Sequence, residues 1–239
     1  MSTVAWTIAM AIVAIGACAQ GSLGFGLGLL AAPVLALIND DFVPGPLLMV
    51  AFVLTILVAT RERGRLDVRG VKWAVIGRVP GSVVGAVAVV TLPDRTLIVV
   101  FATLVLIGVI LSVVGWSIMP TPTTLFTAGA TSGVMGSITS IGGPPMALVY
   151  QHRSGPELRA TLALFFVFGS ALSIFLLSIA GEIGPGDVRT AAALLPAMLV
   201  GYVASRWVGR WLDRGYLRPA LLGFSAAASL TLLVVELLR

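Results

Sequence analysis

The chain has 239 residues, of which 58% are hydrophobic and only 10% charged, and its mean hydropathy is +1.07. Soluble domains carry about a quarter charged residues, so this composition excludes that class and makes the bilayer the solvent that sets element lengths. The net charge of +5 is gathered in short loops without the interleaved aromatics of a single-strand platform, which excludes nucleic acid as a partner and leaves membrane lipid as the surroundings.

Uncharged runs long enough to cross a bilayer, about 20 residues each, follow one another along the chain. In order they predict membrane elements over 3–19, 22–38, 45–60, 71–92, 96–116, 121–135, 139–151, 156–180, 187–205 and 217–237. The junctions carry turn punctuation: Asn39-Asp40-Asp41, Leu92-Pro93-Asp94, Met119-Pro120-Thr121-Pro122 and Gly184-Pro185-Gly186. Trp6, Trp73, Trp116, Trp207 and Trp211 fall near predicted span ends, as in an interfacial aromatic belt. The expected fold is an all-α integral membrane protein, a polytopic helical bundle of about eight to ten membrane segments with Gly/Pro-broken helices.

An internal repeat runs through these elements. A shift of 112 residues places Gly21 on Gly133, Gly24 on Gly136, Pro33 on Pro145 and Pro44 on Pro156, and a shift of 116 places Pro80 on Pro196 and Gly85 on Gly201. Loops between equivalent elements have opposite charge. Asp40 and Asp41 correspond to His152, Arg153 and Arg159 with Glu157, and the basic run Arg61, Arg63, Arg65, Arg69 and Lys72 corresponds to Glu182 and Asp187. A second basic run, Arg206, Arg210, Arg214 and Arg218, matches the nearly neutral turn at 92–96. Lys and Arg mark cytoplasmic loops, so loops 61–72, 152–159 and 206–216 are expected inside, with both termini outside. Equivalent loops then lie on opposite faces, which makes 1–118 a first transmembrane repeat and 119–239 a second, inverted one. Inverted repeats around a midplane site are the common plan of secondary transporters.

One cysteine, Cys18, and one histidine, His152, exclude an intramolecular disulfide and a structural zinc site, and no cofactor or metal is expected. Ile15-Gly16-Ala17-Cys18 faintly resembles a lipoprotein processing site, but no basic residue precedes it, and Cys18 reads as a small packing residue. Membrane catalysis needs a nucleophile–base pair or a metal cluster, which this side-chain inventory does not offer, so no enzyme is expected.

Each half has one unusual stretch: Gln20-Gly21-Ser22-Leu23-Gly24-Phe25-Gly26-Leu27-Gly28, followed by Pro33, and the run from Gly133 to Gly142-Gly143-Pro144-Pro145. Paired Gly/Pro interruptions at matching positions point to a transport site, because a restarted helix offers unpaired N–H groups and a partial positive charge to an anion. The candidate substrate-binding residues are Gln20, Ser22, Gly24, Phe25 and Gly26 in the first stretch, Ser137, Thr139, Ser140, Gly142, Gly143, Pro144 and Pro145 in the second, and Arg78. The glycines also suit plain close helix packing. Arg78 is the only charge in 73–92 and either snorkels to the basic end or faces an anion inside the bundle. His152 is a conceivable proton carrier and equally an ordinary loop-edge residue.

At these two stretches the chain resembles the TauE/SafE sulfite exporter family of bacterial membrane permeases. Gly24-Phe25-Gly26 with Pro33, and Gly136 with Ser140-Ile141-Gly142-Gly143-Pro144-Pro145, carry the resemblance. It implies transport of small anionic sulfur compounds (sulfite, thiosulfate, sulfoacetate, taurine-related sulfonates) driven by the proton gradient.

The expected function is an inner-membrane, multi-pass secondary transporter of a small anion, with protons as the coupling ion. A non-transporting membrane subunit or assembly factor and a passive anion channel are the alternatives. The carboxylates within predicted spans, Glu157, Asp187 and Glu236, all stand at span ends, which leaves the substrate itself or His152 to carry a proton. The oligomeric state is open, with a homodimer as one arrangement.

Overall fold

The computed structural model describes residues 2–62, 66–113, 118–212 and 217–238, with side chains described except at 208–212, 217–221 and 237–238. The expected cytoplasmic cations Arg63, Arg65, Arg210, Arg214 and Arg218 and the belt residues Trp116 and Trp211 fall outside the described residues or side chains.

The described chain folds into ten α-helices: α1 (Thr3–Leu23), α2 (Leu27–Ile38), α3 (Gly45–Arg61), α4 (Val68–Thr91), α5 (Asp94–Val113), α6 (Pro122–Thr139), α7 (Gly143–Tyr150), α8 (Gly155–Ile179), α9 (Pro185–Leu212) and α10 (Leu217–Leu238). A 3₁₀ turn, Asp40–Phe42, joins α2 to α3. Six helices are long and apolar enough to cross a bilayer, and α2 is a shorter apolar helix of 12 residues. The helices start where side chains supply the missing acceptors. Asp67 Oδ1 accepts from the Gly70 amide at 2.8 Å to open α4, and Thr121 and Thr124 form a reciprocal capping box at α6.

Small residues set the helix pairing. α4 lies on α6 with Gly77 against Phe126 and Gly81 against Ala130, at positions where any Cβ would run into the partner's backbone. α1 lies on α9 in the same way, with Gly201 against Ala14 and Gly21 against Ser205. Both pairs run parallel. Exchanging α1–α5 with α6–α10 maps the α1–α9 pair onto α6–α4, α3–α9 onto α8–α4, and α2–α10 onto α7–α5, while α3–α8 and α5–α10 map onto themselves. α1 ends at the face carrying Arg61, Glu62 and Arg159, and α4 begins there. Because α4 and α6 are parallel, α6 runs opposite to α1.

Two sequence expectations change. The breaks are shorter than the Gly-rich stretches: α1 continues through Gln20–Leu23 and yields only at Gly24–Gly26, and α6 continues through Ser137 and Thr139 to a break at 140–142. In apolar surroundings a helix is the cheapest home for backbone N–H groups, so glycines and serines stay helical until a left-handed residue stops the run. Those residues are Gly24 (φ 91°) and Ser140 (φ 60°). They stand 116 positions apart, as do Pro80 and Pro196, so a single 116-residue register relates the halves and the 112-residue alignment of the first stretch is displaced by one turn.

Candidate functional site

The two breaks meet. The α-carbon of Gly28, in the first turn of α2, passes against the Ser140 carbonyl, and a Cβ on Gly143, the first residue of α7, would lie 2.8 Å from Phe25 Cβ. α2 and α7 therefore start back to back with their N-termini on a shared cavity of about 30 Å³. Its walls are Gln20, Phe25, Gly26 and Gly28 from the first break, Ser140–Pro144 from the second, Thr55 from α3, Arg78 from α4, and Phe166 and Ser170 from α8.

Each helix restart leaves a small set of donors. On α2, Gln20 Oε1 accepts the Leu27 amide at 3.1 Å, and the first intrahelical bond is Leu30 N to Gly26 O, so the amides of Gly28 and Leu29 precede the ladder. On α7, Pro144 and Pro145 occupy first-turn positions where no intrahelical donor is needed, which is why a double proline is tolerated at this depth. The backbone donors at that end are Gly142 and Gly143. Gly142 has φ −100°, Ser140 takes the left-handed conformation, and Gly142 is glycine for space.

That space belongs to Arg78. It lies near the middle of the 24-residue α4, is 2% exposed, and points inward, which replaces the snorkelling alternative. A Cβ on Gly136 would sit 2.5 Å from Arg78 Nη2, on Gly142 2.6 Å from Nη1, and on Gly169 2.7 Å from Cζ and Nε. Three glycines from three segments thus make the slot for one guanidinium. Phe165 covers it at 5.4 Å, and Nη1 donates to Ser132 Oγ at 2.7 Å, which donates in turn to the Gly142 carbonyl at 2.6 Å. Arg78 Nε is buried without a hydrogen-bond partner. Among the described residues the ion pairs are Arg61–Glu62, Arg159–Glu62 and Arg153–Glu157, and none includes Arg78. A buried cation lacking a counter-ion costs several kcal/mol, which Ser132 and Phe165 offset in part and a bound anion would offset further.

The other predicted residues are placed elsewhere. Ser22 donates to the Ser205 carbonyl at the α1–α9 seam, and Gly24 caps α1 against Arg159. Ser137 pairs with Ser173 at 2.9 Å, and Thr139 bonds Met135 O and accepts the Ile141 amide. Pro145 packs inside α7. These five do not line the cavity, whereas Gln20, Phe25, Gly26, Arg78, Ser140, Gly142, Gly143 and Pro144 do. Sequence reasoning missed Ser132, Thr55 and Ser170. Each is a hydroxyl at 6% exposure or less in a charge-free part of a helix, where nothing in the sequence singles it out.

The sequence matches the model of the sulfite exporter TauE/SafE family over residues 8–232, nearly the whole chain. The chain belongs to the TauE/SafE sulfite exporter family. No curated protein and no solved structure matches it. Membership together with six long apolar helices makes this a multi-pass membrane protein of a transporter family.

Proposed function

We propose that this TauE/SafE member is a secondary transporter of a small sulfur oxyanion or organosulfonate, bound where the α2 and α7 N-termini face Arg78. One observation carries the reading: a wholly buried arginine, without a carboxylate partner, lies on a cavity that also receives two helix N-termini. Each of these favours negative charge, and together they leave it no competitor within the site. The cavity of about 30 Å³ is far below the roughly 300–1,000 Å³ of sites for drug-sized ligands.

In this reading residues 1–118 and 119–239 act as the two inverted repeats, and rocking of one against the other exposes the site alternately. The face with Arg61, Arg153 and Arg159 is cytoplasmic, the membrane is the cell inner membrane, and protons supply the driving force. Uptake into proteoliposomes under an imposed proton gradient tests this, with sulfite, thiosulfate, sulfoacetate and taurine compared with and without an uncoupler. Saturable sulfite flux abolished by the uncoupler is expected, and its absence for every anion rejects the reading. Flux that persists with the uncoupler and never saturates makes the protein a passive channel instead.

A further inference from the structure

On the far side of the first break from the cavity, two arginines converge on one carboxylate. Arg61 Nε donates to Glu62 Oε1 at 3.2 Å, Arg159 Nε donates to the same oxygen at 3.1 Å, and Arg159 Nη2 lies 3.5 Å from Oε2. Each guanidinium also holds the end of α1. Arg61 Nη2 donates to Gly21 O, Arg159 Nη1 donates to Ser22 O at 3.3 Å, and Arg61 Nη1 reaches Ser205 Oγ at 2.9 Å. Two cations and one anion leave an excess positive charge. The side chains of Arg61, Glu62 and Arg159 are 19%, 16% and 23% exposed, so water and small ions reach them.

Closing a helix end does not require this cluster. The inverted counterpart, the end of α6, closes with neutral groups: Thr139 Oγ1 accepts the Ile141 amide and Ser140 Oγ donates to the Pro44 carbonyl. In the 116-residue register, Arg61 and Glu62 fall on Leu177 and Ser178. The cations are therefore a feature of one face only, not of the repeat. They stand one short segment from the cavity. Gly24 lies against Arg159, with a Cβ there 3.2 Å from Arg159 Cα, while the next two residues, Phe25 and Gly26, line the cavity wall.

We propose that Arg61 and Arg159 form a second anion-binding station at the basic mouth, filled at rest by the tethered carboxylate of Glu62. An oxyanion passing between that mouth and the Arg78 cavity takes the place of Glu62. The exchange keeps each guanidinium paired, since an oxyanion offers the same acceptor geometry as a carboxylate. Partly exposed ion pairs are held weakly, so Glu62 gives way to a dissolved anion and returns once it leaves. This inference rests on the small-anion reading above, and its test separates the two.

Equilibrium binding of radiolabelled sulfite, kept anaerobic, is compared in purified wild type, Glu62→Gln, Arg78→Gln, Glu62→Gln/Arg78→Gln and Glu62→Gln/Arg159→Gln. At a sulfite concentration too low to displace the tethered carboxylate in wild type, Glu62→Gln is expected to bind one equivalent more per chain than wild type. The extra equivalent persists in Glu62→Gln/Arg78→Gln and disappears in Glu62→Gln/Arg159→Gln. Folded Glu62→Gln protein with wild-type stoichiometry, or an extra equivalent that survives Arg159→Gln, overturns the station. Should the variant not fold, wild type itself decides: because sulfite also consumes phenylglyoxal, modification of Arg159 is read by mass spectrometry relative to the exposed Arg189, sulfite is expected to lower that ratio, and an unchanged ratio overturns the proposal. Failure of the Arg78 reading is a separate result, namely wild-type binding that is unaffected by Arg78→Gln.

Discussion

Gly169, on α8, lies flat against the guanidinium of Arg78, on α4, so closely that a Cβ at 169 would sit 2.7 Å from Arg78 Cζ and Nε. Gly136 and Gly142 close the slot from two further directions. The glycine density of the second half is therefore explained in part by one arginine rather than by helix packing alone.

Alanine at these three positions is expected to affect binding more than folding. At Gly136 and Gly169 the atoms that the Cβ meets belong to the end of the long Arg78 side chain, which can swing aside, whereas at Gly142 it also meets Ser132 Oγ at 2.8 Å. Alanine at Gly81 or Gly129 instead meets the partner helix's backbone carbonyl in the α4–α6 seam and is expected to prevent folding. Gly136→Ala and Gly169→Ala should purify as monodisperse protein with affinity for sulfite reduced about tenfold or more, since displacing the guanidinium loses charged hydrogen bonds of about 1.5–3 kcal/mol. Equal yields for Gly81→Ala and Gly169→Ala on size exclusion would contradict the distinction.

Arg78→Gln separates stability from binding. The buried cation is desolvated and unpaired, so its removal relieves a cost borne by the empty protein. The anion-free variant is expected to melt at or above the wild-type temperature, while the stabilisation that wild type gains from millimolar sulfite vanishes. A lower melting temperature without ligand, combined with a retained sulfite shift, would show that Arg78 is structural.

Much of the fold was legible in the sequence. The ten charge-poor stretches became ten helices, six of them long enough to cross, because the bilayer demands about 20 apolar residues per crossing and charges other than Arg78 gather toward the helix ends. Where the helices break was less legible. Gly21 and Gly136 look like breakers on paper, yet both stay helical, because backbone satisfaction outweighs glycine's intrinsic cost in apolar surroundings. Eight of the thirteen candidate residues line the shared cavity. The breaks and Arg78 were visible as departures from an apolar pattern. Ser132 and Thr55 were not, since a lone hydroxyl in a membrane helix usually bonds its own backbone, and only the three-dimensional pairing of Ser132 with Arg78 and Gly142 distinguishes it.

Ser132→Ala tests that pairing. It removes the bridge between the guanidinium and the second break but leaves the charge in place. Affinity for sulfite should fall by up to about tenfold, the value of a neutral to charge-assisted hydrogen bond of roughly 1–1.5 kcal/mol. Ser137→Ala, whose hydroxyl is turned to Ser173 and away from the cavity, should bind like wild type. If the two variants lose affinity equally in a direct binding titration, Ser132 has no special role.

Topology is the remaining prediction, and it rests on charge. Arg61, Glu62 and Arg159 share one face, and the 3₁₀ turn with Asp40 and Asp41 shares the other with Asp187, which lies beside Gly45. In a Cys18→Ala background, single cysteines replacing Asp41 or Glu182 are expected to react with an impermeant maleimide added to intact cells. Cysteines replacing Leu66 or Arg153 should react only after the membrane is opened, because cation-rich loops stay cytoplasmic. All four positions are exposed, so failure to label reports sidedness rather than burial. Labelling of positions 41 and 153 from the same side would mean that the two halves are not inverted in the membrane. The alternating use of a shared site by opposed α2 and α7 N-termini would then have no geometric basis.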